Sequence, residues 1–216
     1  MLRLALCLIP FAAQGPAHPF ESEIAQFEAA DRQNPPAPGG IVFVGSSSIR
    51  LWKTLNDDFP QYQTLNRGFG GSQISDSVFF ANRIVTPYKP KVVVFFAGTN
   101  DINDGKSPET VLQDYQRFVD VVRSECPTTP IVYLSISPAP SRWAKIEQIK
   151  RANALIQAYC RRGKRLLFVD MFSKMLDAKK GPRPELFVED QLHLNAQGYS
   201  IWTKALTPVL AKAMKL

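Results

Sequence analysis

The chain has 216 residues, 45% hydrophobic and 21% charged, with a net charge of +7. That composition belongs to a folded chain with room for one sizeable core and excludes a disordered one. The Lys and Arg residues are scattered without interleaved aromatics or a nucleic-acid motif, so no nucleic-acid partner is expected. The densest basic cluster, Arg161, Arg162, Lys164 and Arg165, suits a helix C-terminus, where cations meet the macrodipole.

At the N-terminus, Arg3 precedes an apolar run from Leu4 to Ala13, followed by small residues. This is the layout of a secretory signal peptide, with cleavage after Ala13 or Ala17. Residues 1–17 are therefore expected to be a signal segment and 18–216 a single domain, secreted or periplasmic. The run is too short to span a bilayer, and no later segment is long and apolar enough, so no stable membrane insertion is expected. Leu6 precedes Cys7 where a lipoprotein signal needs a small residue, so no lipid anchor is read there. Cys126 and Cys160 each fall near the end of a predicted helix; a disulfide between them in an exported chain is left open.

The first predicted helix covers Phe20–Arg32, and the loop Asn34–Gly40 leads into a short apolar strand, Ile41–Val44. Gly45 and three serines follow, then a helical pattern from Ile49 to Trp52. Tyr62–Asn66 reads as a strand ending at the glycine-rich RGFGGS, and Ser75–Ile84 as a helix. Lys91–Ala97 is continuous and apolar, as in the centre of a parallel sheet, and stops at GTND, Gly98–Asp101. After a polar loop, Ser107 or Pro108 opens a helix to Glu125, with Val111, Leu112, Tyr115, Phe118, Val119 and Val122 as its buried stripe. Ile131–Ile136 is a strand, Ala144–Cys160 a helix and Leu166–Val169 a strand; Asn195 caps a last helix, Ala196–Met214. Five short strands alternating with helices make an α/β fold with a parallel sheet and right-handed crossovers. In such a sheet the functional loops lie beyond the carboxyl ends of the strands, which are here the stretches richest in Gly, Ser and Asn.

A serine where a strand breaks into a helix is poised to attack a carbonyl, with unpaired backbone N–H groups beside it. The plain alternative is that Ser46–Ser48 only cap the helix. Of the two histidines, His18 lies by the cleavage site, which leaves His193 as the base for such a serine. Asp190, three residues earlier, is spaced to orient the imidazole through Nδ1 and leave Nε2 free to take a proton. Asn100 of GTND, carried to the same sheet edge, has donors for a developing oxyanion. Gly71 would let the loop backbone approach a substrate and offer its N–H. A polar turn at Asn100, a positive φ at Gly71 and a solvated Asp–His pair are the corresponding plain alternatives. The loops Ile102–Ser107 and Pro138–Trp143 should flank the pocket, with Ile102, Asn103 and Trp143 its candidate lining and Arg142 beside them. The sequence has no H-E-x-x-H, no Cys/His cluster and no P-loop, so no metal or cofactor is expected.

Taken in order, G-x-S after a strand, a loop glycine, G-T-N-D and a late D-x-x-H resemble the SGNH hydrolase superfamily, also called GDSL esterases and lipases. The similarity runs from Ile41 to Gly198, nearest the branch of platelet-activating-factor acetylhydrolase-like acylhydrolases. It implies a flavodoxin-like three-layer sandwich with five parallel strands in the order 2-1-3-4-5. It also implies Ser47 as nucleophile, His193 as base, Asp190 as its orienter, and an oxyanion hole from Ser47, Gly71 and Asn100. Ser46 stands where the family name implies Asp, and the resulting triple serine leaves Ser46 and Ser48 open as alternatives to Ser47. The expected activity is hydrolysis of carboxylic esters with short acyl groups, including carbohydrate esters. Lysophospholipid or thioester hydrolysis on the same residues, a non-catalytic carbohydrate-binding module and a phosphate or nucleotide binder are the alternatives. Oligomeric state is not legible.

Overall fold

A computed structural model describes residues 17–216. Cys7 and all but the last residue of the expected signal segment lie outside that range. The five strands are β1 (Ile41–Gly45), β2 (Thr64–Gly68), β3 (Val92–Phe96), β4 (Ile131–Leu134) and β5 (Leu166–Val169). They form one parallel sheet in the order β2-β1-β3-β4-β5, as the resemblance implied.

Helices cover both faces of the sheet. On one side lie α1 (Glu21–Gln33), α4 (Ile74–Ile84), α6 (Pro108–Glu125) and α7 (Ile146–Arg162); on the other, the short α2 (Ser47–Arg50) and α3 (Leu55–Asp58) together with α8 (Ala196–Ala213). Side chains alternate along each strand. Val42, Val44, Val93, Phe95 and Tyr133 enter the first layer, while Ile41, Phe43, Val94, Phe96 and Val132 enter the second. Because both faces are covered, β1, β3 and β4 are buried at every position, which is why they read as unbroken apolar runs. The second layer centres on Trp52 and Trp202, each at most 1% exposed, with ring centroids 5.7 Å apart.

Several expected boundaries move, each for a local reason. The helix after the serines is a single turn, because the chain turns to insert Trp52 among Phe43, Phe59 and Tyr199. β2 begins at Thr64 rather than Tyr62, whose N–H donates to the Phe59 carbonyl in a turn. β4 ends at Leu134 because the Ile136 backbone is bonded by the Asn153 side chain. GTND does not open a loop but a short helix, α5 (Thr99–Asn103), launched from Gly98 at φ +117°. A 3₁₀ segment, Pro140–Lys145, precedes α7, which therefore starts at Ile146 rather than Ala144.

Cys126 and Cys160 are buried free thiols with different neighbours, the Thr86 carbonyl and the Tyr115 hydroxyl, so they do not form a disulfide. His18 is not a loose tail residue. It stacks on Phe79 at 4.6 Å, meets Phe80 edge-on, and places Nε2 3.3 Å from the Asp76 carboxylate.

Candidate active site

The position of Ser47 follows from close packing around β1. Gly45 has φ +140°, and a Cβ there would lie 1.9 Å from the Phe96 carbonyl oxygen, so only glycine lets β1 end this close to β3. Ser46 continues in extended conformation, its N–H donating to that same carbonyl at 3.0 Å, and Ser47 then opens the α2 turn. The turn is braced from two sides. Asn66 of β2 donates to the Ile49 carbonyl at 2.6 Å, and the Tyr199 hydroxyl of α8 donates to the Ser48 carbonyl at 2.9 Å.

His193 and Asp190 sit in the loop before α8. The loop folds back on itself: the Val188 N–H donates to the His193 carbonyl at 2.8 Å, and Gln191 at φ +55° makes the corner. Asp190 Oδ1 accepts from the backbone N–H groups of Leu192 and His193, both at 2.9 Å, and Oδ2 lies 2.6 Å from His193 Nδ1. On the far side of the ring, His193 Nε2 lies 2.8 Å from Ser47 Oγ, joining residues 146 apart in the chain. Burial pushes the Asp190 carboxyl up, but the His193 backbone N–H, the imidazole and the Leu192 N–H outweigh it and hold it at about 2. The carboxylate is thus ionised wherever the protein is folded near neutral pH, which favours a proton on Nδ1 and an acceptor lone pair on Nε2 facing the serine.

Asn100 reaches the same place from β3. Its Nδ2 donates to the Ser72 carbonyl at 2.9 Å, tying the start of α5 to the Gly70–Ser72 turn and leaving its second N–H uncommitted. Gly71, in that turn, has φ +81° and open space where a Cβ would go, so the backbone angle and not crowding selects glycine. The neighbouring Asp101 is fully buried. It accepts from the Ile74 N–H at the start of α4 and pairs with Lys106 at 3.0 Å, which also meets Asp114 at 2.8 Å. Burial pushes the Asp101 carboxyl up, against the pull of the Lys106 charge. This network fastens the loops after β2 and β3 together.

A cleft of about 20 Å³ opens beside Ser47, lined by Ser46, Ser48, Thr99 and Asn100 on one side and Ser137, Ala139, Leu192 and Leu194 on the other, with Phe96 beneath. The expected lining residues are elsewhere. Ile102 is 2% exposed in the core between α5 and α6, Asn103 is exposed and bonded to Asp104, and Trp143 lies half-buried on the 3₁₀ segment outside the cleft. The reason is the unforeseen α5 turn, which swings Ile102 inward and carries Asn103 to solvent. Of the loop Pro138–Trp143, Ala139 does reach the cleft. Ser137, Thr99 and Phe96 carried no distinguishing pattern in the sequence beyond lying at strand ends.

The model of the GDSL-like lipase/acylhydrolase family matches residues 42–201. Among curated proteins, the platelet-activating factor acetylhydrolase IB subunit alpha2 of Homo sapiens is 28% identical over 123 residues, 54% of this chain and 50% of the relative. The chain therefore spans about half the length of the curated relatives it matches. A GDSL-like lipase from Bacteroides thetaiotaomicron superposes with a TM-score of 0.78 at 20% identity, covering 89% of this chain and 98% of its own. A carbohydrate esterase family 3 structure from Talaromyces cellulolyticus superposes with a TM-score of 0.66 at 17% identity, covering 82% and 98%. With the family pattern running through all the strands and through His193, the chain belongs to the GDSL-like lipase/acylhydrolase family.

Proposed function

We propose that this protein is a serine esterase that hydrolyses carboxylic esters with short acyl groups, through an acyl-enzyme on Ser47. The observation that carries the reading is the unbroken hydrogen-bonded series from Ser47 Oγ to His193 Nε2 at 2.8 Å and from Nδ1 to Asp190 at 2.6 Å. Ser47 attacks the ester carbonyl as His193 takes its proton, and Asp190 holds the ring and balances the imidazolium. The N–H groups of Ser47 and Gly71 and the free N–H of Asn100 Nδ2 receive the oxyanion. His193 returns the proton to the departing alcohol, then activates water against the acyl-enzyme. Ser46 and Ser48 lack the contact to the imidazole that Ser47 makes, which favours Ser47 among the three.

A cleft of about 20 Å³ suits a short acyl group rather than a fatty chain. Export, if residues 1–17 are a signal, would bring the enzyme to extracellular ester-bearing carbohydrate, and the carbohydrate esterase among the superposed structures is consistent with that class. A fluorophosphonate probe tests the central claim. The wild type should be labelled at Ser47 and hydrolyse p-nitrophenyl acetate, whereas Ser47→Ala and His193→Ala should lose about 10⁶ in kcat while keeping the fold. Undiminished turnover by either variant would refute the assignment. Mass spectrometry of the exported protein should find an N-terminus at residue 14 or 18.

A further inference from the structure

The run RGFGGS at the end of β2 holds three glycines, and they are glycine for different physical reasons. Gly71 needs its positive φ and has open space beside it. Gly68 and Gly70 have no positive φ; the space at each is filled by Arg50. A Cβ at Gly68 would lie 2.2 Å from the Arg50 backbone nitrogen. A Cβ at Gly70 would lie 2.6 Å from Arg50 Nη2, 2.7 Å from Cζ and 2.8 Å from Nε. Three near-equal distances mean that the guanidinium lies across Gly70 and does not touch it with one tip alone.

Arg50 is the last residue of α2, the turn that Ser47 opens. It is exposed, and among the described residues its guanidinium joins no ion pair. The lower half of its contact with the glycine run is rigid: Asn66 donates to the Ile49 carbonyl at 2.6 Å and accepts from the Gly68 N–H at 2.9 Å. The upper half is the guanidinium on Gly70. On the other side of Gly71, the Ser72 carbonyl accepts from Asn100 and the Ser72 hydroxyl donates to the Phe69 carbonyl, both at 2.9 Å. Gly71 therefore stands between two held neighbours. Its N–H belongs to the Gly70–Gly71 peptide, so whatever fixes Gly70 fixes the direction of that N–H. Two glycines in succession have wide conformational freedom, whereas oxyanion donors work by being in place before the charge develops.

We propose that Arg50 is a positioning residue: its guanidinium, laid across Gly70, holds the Gly70–Gly71 peptide so that the Gly71 N–H keeps its place beside that of Ser47. This rests on the esterase reading above and extends it to what keeps the two backbone donors in register.

The experiment is a double-mutant cycle on p-nitrophenyl acetate hydrolysis with Arg50→Ala, Gly70→Ala and the two combined. Arg50→Ala should lower kcat about 10- to 100-fold, short of the loss of a whole oxyanion donor, with KM within about twofold and Tm within a few degrees of wild type. Gly70→Ala suits the backbone and displaces only the far end of a flexible side chain, so it should cost about the same. The combined variant should lose no more than either alone, because the methyl then occupies a space the guanidinium has left. Arg50→Lys, which keeps the charge without the plane, should stay within about threefold of Arg50→Ala. A kcat for Arg50→Ala within about twofold of wild type, or single losses that multiply in the combined variant, overturns the proposal. So does a loss confined to KM, which would make Arg50 a substrate contact, or full activity in Arg50→Lys, which would make its charge the active property. Absence of labelling at Ser47 in the wild type would instead bring down the esterase reading beneath it.

Discussion

The two segments that meet at the 2.8 Å contact are built by different physics. The Ser47 turn is held by packing: Gly45 is wedged against Phe96, Trp52 is sunk in the second core layer, and Asn66 and Tyr199 brace the turn carbonyls. The Asp190–His193 loop lies at the surface, with the Asp190 side chain 47% exposed and the His193 side chain 24% exposed, and its shape comes from hydrogen bonds. The Ser47 side thus shares its stability with the whole domain, whereas the His193 side is a local construction whose damage should leave the core standing.

The sharpest way to break that contrast is Asp190→Asn. It should cost about 10⁴ in kcat, because the amide no longer holds the imidazole in the right tautomer, while circular dichroism at neutral pH shows an intact fold. Gly45→Ala should do the reverse. With a Cβ 1.9 Å from the Phe96 carbonyl and φ at +140°, it should destabilise the protein by about 3 kcal/mol or more, read as a fall in the denaturation midpoint or a loss of soluble protein. Asn195→Ala should fall between the two regions. Its side chain caps α8 at the Gln197 and Gly198 N–H groups and ties back to the Glu185 and Phe187 carbonyls, so about 1–2 kcal/mol of stability should go, with a modest loss of activity through the adjoining loop.

The smallest expected effect sharpens the comparison through pH. The Asp190 carboxyl is held down at about 2 in the folded state against an ordinary value of 3.8. A depressed carboxyl contributes stability that is present above its unfolded value and is lost as pH falls through the folded one. The Tm advantage of wild type over Asp190→Asn should therefore be constant near neutrality and shrink between about pH 4 and pH 2. A gap that stays constant over that range would mean that the loop does not draw on the ionised carboxylate.

How much of this was legible before folding depends on whether the signal was local. The runs VVVF in β3 and IVFV in β1 declared themselves because both sheet faces are covered, so no polar residue interrupts them. The cap at Asn195 was equally plain, and it accepts from two amides; at the other long helix, where Ser107 and Pro108 were both open as the start, Ser107 is the cap and accepts from the Thr110 N–H. The short turns were not. Whether GTND opens a loop or the α5 turn depends on Gly98 fitting beneath Ile136, a contact made across the sheet, and the pocket residues Ile102 and Asn103 were misplaced with it.

By itself, then, the order of residues determined the strands, the long helices, the caps and the set of side chains with reactive chemistry, since each of these rests on periodicity or on neighbours a few positions away. Only the tertiary structure decided that residues 47 and 193 stand 2.8 Å apart, that Asp101 is sealed under Lys106, and that Cys126 and Cys160 stay apart. Those are properties of pairs of distant segments, or of what surrounds an atom on every side. They exist only once the crossovers have stacked β1, β3 and β4 into one sheet and brought their carboxyl ends to one edge.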